Sequence, residues 1–437
     1  MTGRVFSLAV LVVFLVTGLG WAEESGEPKS KFKIKPMISA ATRYESNFFL
    51  TEENERGMFT FFVAPGVGVT YETPKLEVNF DLTVEGVAYS DDGDVPKGEQ
   101  KGSDLNYIAP LAALKTRYDA TERLTIGLDE SFYITRYPFY YDRLSNSTDR
   151  RKYWINRLSP MISYEFQDRF ELDFRYHWQV VNYTDSDFED STENKFFIDL
   201  LYNPQRTLTF GVDYQYWIID YADNPFNSSN TRTHQFWFMG QKRYKYFSFD
   251  GAFGYSNRSF QGDLDRRFQG DLQENKGALI YKVSFSAENP PPPDVKRAMG
   301  QAPERSKSHI YAAAERNQNS LGESFIANRF TLSAGHVWLG KILGVVRGYY
   351  QIADYDYASG FTPDGGIAVR DDDFYNISGR VGYLITKAME ISITVGKENR
   401  NSNLLGFDYD DKFAYLRFSF GFDLGSRGMF SEEAVYY

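Results

Sequence analysis

Along most of this chain, apolar and polar side chains alternate one for one. Leu76, Val78, Phe80, Leu82 and Val84 alternate with Glu77, Asn79, Asp81, Thr83 and Glu85. Phe170, Leu172, Phe174, Tyr176 and Trp178 alternate with Glu171, Asp173, Arg175, His177 and Gln179. The same period of two runs through Leu208 to Tyr216, Tyr375 to Ile385, Ile391 to Val395 and Ala414 to Leu424. Successive side chains of a strand point to opposite faces, so each run has one apolar and one polar face. Many runs reach the ~9–11 residues that a tilted strand needs to cross a bilayer.

The links between runs alternate as well. Tight links fall at Glu72–Pro74, Asp119–Glu122, Gln167–Asp168, Asn203–Gln205, Arg243–Lys245 and Lys387–Met389. Longer polar links fall at Asn47–Gly57, Ser90–Ser103, Tyr140–Arg150, Asp185–Thr192, Asp223–Asn230, Gln261–Gly270, Ala358–Asp373 and Asn401–Asp410. Short turns on one side and long loops on the other predict an all-β transmembrane antiparallel up-and-down β-barrel. The short turns are then periplasmic and the long loops extracellular. The count is about eighteen strands, with sixteen as the alternative, and both termini periplasmic. A soluble β-propeller of comparable hairpin spacing would show a motif recurring from blade to blade, and none recurs here.

Composition sharpens this reading. Aromatics make up 17% of the chain and charged residues 24%, while the mean hydropathy is only −0.46. A soluble domain would build its core largely from Leu, Ile and Val. Many aromatics beside many charges suit a wall with one face in lipid and the other in water. Outward rings such as Tyr176, Trp178, Tyr214, Tyr216, Phe249 and Tyr255 suit the interfacial girdles. The net charge of −11 disfavours nucleic acid as a partner. With no cysteine, the chain has no thiolate metal site, cysteine nucleophile or disulfide framework.

The N-terminal residues 1–22 read as an export signal: Arg4, an apolar run from Val5 to Val16, then small residues at Gly20 and Ala22. The domain layout is then a signal peptide at 1–22, a periplasmic linker at 23–31, a barrel at 32–424 and a tail at 425–437. Residues 288–307, with Pro290 to Pro293 inside them, interrupt the rhythm as a Pro-rich periplasmic insertion. Such an extended stretch suits a spacer or a docking segment for a periplasmic export partner. The row Ala414, Leu416, Phe418, Phe420 and Phe422 resembles a closing strand read by the barrel assembly machinery, with Phe422 or Tyr437 as the recognised aromatic.

The stretch Ile38–Leu50, which contains Tyr44-Glu45-Ser46-Asn47, is followed by Pro65-Gly66 inside Val63–Tyr71. Together with Arg157-Leu158-Ser159-Pro160, it resembles the outer-membrane β-barrel porins often found beside exopolysaccharide export genes. The resemblance implies a barrel in the cell outer membrane, amid lipid and lipopolysaccharide, with a porin-like or export-linked role. It implies no catalytic residues and no cofactor. Pro65 and Pro160 are expected to mark bulges, because proline cannot donate to a ladder.

The polar face is the most informative surface. The candidate lumen-lining residues are Glu77, Asp81, Glu85, Asp129, Glu171, Asp173, Arg175, His177, Asp213, Asp250, Arg258, Arg380, Glu398, Arg417 and Asp423. They give a mixed lumen with an acidic bias. A rim-active hydrolase would need Ser and His on the lipid side near the outer rim, whereas His177 shares its face with Glu171 and Arg175. The acidic stretches Asp91–Asp94, Asp371–Asp373 and Asp408–Asp411 carry oxygen ligands but lack the spacing of a calcium loop. They read as solvated loops, with no metal assigned. The function expected is a porin-like channel for passive solute passage, or one linked to polysaccharide export. A structural or adhesive surface barrel is the alternative, and a hydrolase ranks last.

Overall fold

A computed structural model describes residues 30–421, apart from 138–143, 145–149, 185–189, 223–229, 262–274, 290–307, 320–323 and 387. The export signal, most of the Pro-rich insertion, Phe422, Asp423 and the tail lie outside the described residues.

The alternating runs become eighteen strands. The first nine are β1 (Lys31–Glu45), β2 (Met58–Glu72), β3 (Leu76–Asp91), β4 (Tyr107–Asp119), β5 (Leu124–Thr135), β6 (Tyr153–Phe166), β7 (Phe170–Tyr183), β8 (Ser191–Gln205) and β9 (Leu208–Tyr221). The rest are β10 (Asn230–Arg243), β11 (Phe247–Gln261), β12 (Asn275–Asn289), β13 (Ser308–Gln318), β14 (Phe325–Trp338), β15 (Ile342–Phe361), β16 (Ile367–Thr386), β17 (Met389–Ser402) and β18 (Tyr409–Phe420). Each strand pairs antiparallel with the next, and β1 pairs with β18 from Ile38↔Phe420 to Glu45↔Phe413. The sheet therefore closes on itself, and no edge is left. A 3-10 turn, Gly102–Leu105, sits in the β3–β4 link.

Local chemistry sets the tight turns. The Thr73 hydroxyl accepts the Leu76 N–H at 2.9 Å, and Thr121 does the same for Leu124 at 3.0 Å. Gln167 and Asp168 both take the left-handed conformation, at φ 54° and 55°, as a two-residue hairpin turn requires. Gly340 follows Leu339 in the same conformation.

The outer wall carries the apolar half of each run. Phe61, Val63, Phe210, Phe238, Leu279, Leu332, Val346 and Val381 are all exposed on it. In water this would be an impossible surface; in a bilayer it is the solvated one.

Two expectations change in the structure. Neither Pro65 nor Pro160 marks a bulge, because Ile38↔Pro65 and Leu128↔Pro160 keep the register of their ladders. Each proline instead opens a short gap toward one neighbour, Val63 to Gly66 against β3 and Leu158 to Met161 against β7. The register holds because long ladders on both sides of the gap pin it. The second change concerns Ala358–Asp373, which is mostly strand: β15 and β16 each run for 20 residues, and only 362–366 remain as the loop. Asp371 to Asp373 consequently alternate between faces, with Asp372 buried inside against Arg370, so the three carboxylates cannot converge on one ion.

Candidate functional site

Strand parity places every described candidate on the inner face, opposite the exposed apolar row of its own strand. Near the short-turn end, Glu77 accepts from Asn79 and Asp81 stands across the ladder from Gly68. Glu85 lies within electrostatic reach of Arg417, whose Nε donates to Ser39 at 3.2 Å. Asp129 holds Arg117 through two bonds, of 2.7 and 3.1 Å. Glu171 accepts from Ser163, and His177 Nδ1 sits 2.8 Å from the Ser159 hydroxyl. Asp213 accepts from Gln215, while Asp250 takes Gln241 and Ser284. Arg380 pairs with Glu390. At the long-link end, Glu398 accepts from Asn376 and Tyr409. Arg258, 2% exposed, ties Thr233, Asn319 and Ser324 together there.

The same parity rule adds residues that the sequence reading passed over. Arg43, Arg157, Lys195, Arg329, Arg347, Arg370 and Arg400 also stand on the inner face, as do Glu45, Asp199 and Glu390. Seven of these ten additions are basic, and five of the seven lie on β14–β17 and β1. The interior is therefore mixed rather than generally acidic, with two charge clusters that stand apart near the short-turn ends. Asp173, Asp199 and Asp213 stand side by side on β7, β8 and β9, through Asp173↔Asp199 and Asp199↔Asp213. Arg347, Arg380 and Arg417 occupy β15, β16 and β18 at similar depth, three to six residues from the short-turn ends of their strands. In an eighteen-stranded barrel, β7 and β16 are nine strands apart, as are β9 and β18. Asp173 thus stands opposite Arg380, and Asp213 opposite Arg417. Charges of opposite sign on facing walls set up a transverse field between them.

The opposite half of the lumen differs. On the β3–β9 side, toward the long links, the inner face is apolar: Leu111, Tyr133, Tyr153, Ile155, Val181 and Ile219 pack together. A second cluster joins Phe48, Met58, Val87, Tyr89, Leu105, Tyr107 and Ala109.

Phe48 belongs to the β1–β2 link, which folds into the barrel. Leu50, two residues on, packs against Tyr349, Phe374 and Tyr409. Of the β5–β6 link, expected outside, the described residues Leu144 and Arg150 are buried inside the mouth. Leu144 packs against Phe325, Ala327, Ala353 and Tyr355, and its carbonyl accepts from Gln351 at 3.0 Å. β5 and β14 are nine strands apart, so Leu144 lies against strands on the far side of the barrel from β5. Arg150, from the same link, donates to Glu45 and to the Phe48 carbonyl and lies over the rings of Phe48 and Tyr137. Burial alone would lower the Arg150 guanidinium, but Glu45 beside it holds it above its ordinary value. A loop-to-wall contact of this kind leaves no periodic signal in the sequence.

The remaining histidines stitch the wall. His234, facing outward, bonds the Tyr214 hydroxyl at 2.8 Å; His336 Nδ1 lies 2.6 Å from Ser308; His309 contacts Ser333. Among the described residues, no group of three His, Asp or Glu side chains is arranged to hold a metal ion.

No family model matches the chain. No curated protein matches it either. Among solved structures, it is similar to the outer membrane protein opdK of Pseudomonas aeruginosa, at 12% identity and a TM-score of 0.45, over 89% of this chain and 98% of that one. Similar too are OccK8 (OprE) of the same organism, at 10% and 0.47, and OccAB4 of Acinetobacter baumannii, at 10% and 0.45, each over 91% of this chain and 99% of theirs.

Proposed function

We propose that this barrel is a channel of the cell outer membrane that passes small polar solutes by diffusion and does no chemistry on them. The observation that carries the reading is a pair of opposed charge clusters, Asp173, Asp199 and Asp213 on β7–β9 and Arg347, Arg380 and Arg417 on β15, β16 and β18, inside a wall whose outside is apolar. A structural barrel needs its inner charges only to cross-link the wall, and local pairs such as Arg117–Asp129 suffice for that. Separation of sign between opposite walls instead orients a dipolar solute on its way through. The inward β1–β2 link, with Leu144 and Arg150 from the β5–β6 link, narrows the aperture. On this reading the chain sits amid lipid and lipopolysaccharide, is inserted by the barrel assembly machinery, and turns its short links to the periplasm.

A link to polysaccharide export is the finer form of the proposal. It rests on the Tyr44-Glu45-Ser46-Asn47 resemblance, and those residues shape the mouth. Ser46 and the Asn47 N–H both bond Asp411, and Asn47 closes the loop onto Thr51. An export partner would meet the barrel from the side of residues 288–307.

Planar-bilayer recordings test the channel. Expected are discrete conductance steps whose selectivity moves toward cations in Arg380→Gln and toward anions in Asp173→Asn. A folded barrel that shows no conductance, even with residues 138–149 removed, overturns the reading.

A further inference from the structure

β15 and β16 outrun their neighbours. The ladder to β14 ends at Phe325↔Tyr355 and the ladder to β17 at Asp372↔Ser402, whereas β15 and β16 pair with each other as far as Phe361↔Ile367. The outward face of this hairpin changes character along its length. Tyr350 and Tyr375 stand directly opposite one another, as suits the interfacial girdle. Next comes an acidic row: Asp354 stands opposite Asp371, with Asp373 two residues away on the same face, and all three are exposed. Beyond the acids the face turns apolar again, with Val369 and the cross-strand pair Phe361 and Ile367. Leu405 of the β17–β18 link joins them, its N–H donating to the Phe361 carbonyl at 3.0 Å. Ile367 is 73% exposed and Phe361 65%, more than the lipid-facing Val381 at 59%. Lipid does not account for them. Ile367 lies eight residues past Tyr375, about 26 Å of strand, on the far side of a row of carboxylates.

An exposed apolar patch beside charged residues marks a surface for another macromolecule. The charge beside this one has a single sign. Residues 354–373 hold six aspartates and one basic residue, Arg370. Arg370 is buried against Asp372, and Asp356 pairs with Lys276. Asp354 and Asp371 have no ion pair among the described residues, and like charges directly opposite on a ladder repel. A cation laid over them removes that repulsion. We propose that the tip of the β15–β16 hairpin is a docking surface for a cationic, apolar segment of another protein outside the cell. Phe361, Ile367, Val369 and Leu405 take its apolar side chains, and Asp354 and Asp371 its lysines or arginines. The surface shares with the channel reading only the orientation of the barrel, and it stands whether or not the barrel conducts.

Binding of a fluorescent peptide of alternating lysine and leucine to the full chain in discs of zwitterionic lipid tests this. Empty discs give the baseline, and a peptide of alternating glutamate and leucine is the control. Saturable binding of the lysine peptide alone is expected. Phe361→Ser with Ile367→Ser should weaken it roughly tenfold or more, and so, separately, should Asp354→Asn with Asp371→Asn. The aspartate variant should also unfold later than the wild type, since its repulsion is gone. Residues that merely build the hairpin would not bind worse and hold firmer at once. No binding above the empty discs overturns the surface, as does equal binding by wild type and both variants. Loss in the aspartate variant alone reduces the effect to general charge attraction and overturns it too, as does an aspartate variant less stable than the wild type. Dimers of the unliganded chain that the serine variant separates would give the face to a second copy instead. Should the serine variant fail to form the barrel, Leu405→Ser, in the neighbouring link, decides in its place.

Discussion

Glu45, at the end of β1, accepts a hydrogen bond from Arg150 at 2.8 Å, although 105 residues separate them and neither side chain is more than a tenth exposed. Arg43 reaches the same carboxylate oxygen at 3.1 Å. One buried acid thus ties the β5–β6 link to the strand that closes the barrel. That tie holds Arg150 inside the mouth.

Arg150→Ala should release the link. Glu45 keeps Arg43, so the cost is expected at about 3 kcal/mol, the low end for a broken buried pair. A double-mutant cycle with Glu45→Gln measures the coupling, and single-channel conductance should rise. Unchanged conductance together with a negligible coupling would show that the link holds its place without this pair.

Val212 and Asp213 are neighbours on opposite faces of β9. Arg at Val212 should destabilise the folded barrel by ~2–4 kcal/mol, because the charge enters the lipid face. Arg at Asp213 should cost far less and move selectivity toward anions. Equilibrium refolding into vesicles reads the first effect and reversal potentials the second. Equal damage at both positions would contradict the assignment of faces.

Glu130 is a charged residue on the outer wall. It stands among apolar residues of β5, between Leu114 and Leu158 on the neighbouring strands, with no hydrogen-bond partner among the described residues. A carboxyl at that depth is costly in lipid, so Glu130→Leu should stabilise the barrel by about 1–2 kcal/mol in refolding experiments. A destabilised variant would mean that the carboxyl is satisfied in the membrane by another molecule.

The orientation is testable on whole cells. Asp364 lies in the β15–β16 loop and Asp168 in the β6–β7 turn, at opposite ends of the barrel. Single cysteines there should differ: the one replacing Asp364 reacts with an impermeant maleimide on intact cells, and the one replacing Asp168 only after permeabilisation. Labelling of the Asp168 position alone would invert the topology.

The sequence by itself determined the class of fold. Side-chain direction in a strand has a period of two, so runs such as Leu76–Val84 state which face meets lipid before any partner strand is known. The strand number and the inner position of residues such as Asp173, Asp213 and Arg380 follow from the same rule. It would also have found Asp199, between Ile198 and Leu200, and Arg347, between Val346 and Gly348, had it been applied to every strand. Closure decided the rest. Only when β1 met β18 did Asp213 come to stand opposite Arg417, because position around a circumference depends on the whole strand order. The ladders, long enough to carry Pro65 and Pro160 in register, likewise overrode a local expectation of bulges. The inward links were decided last and least locally. Leu144 and Arg150 find their partners on strands far away in sequence, and no alternation within a link encodes where its side chains will be buried.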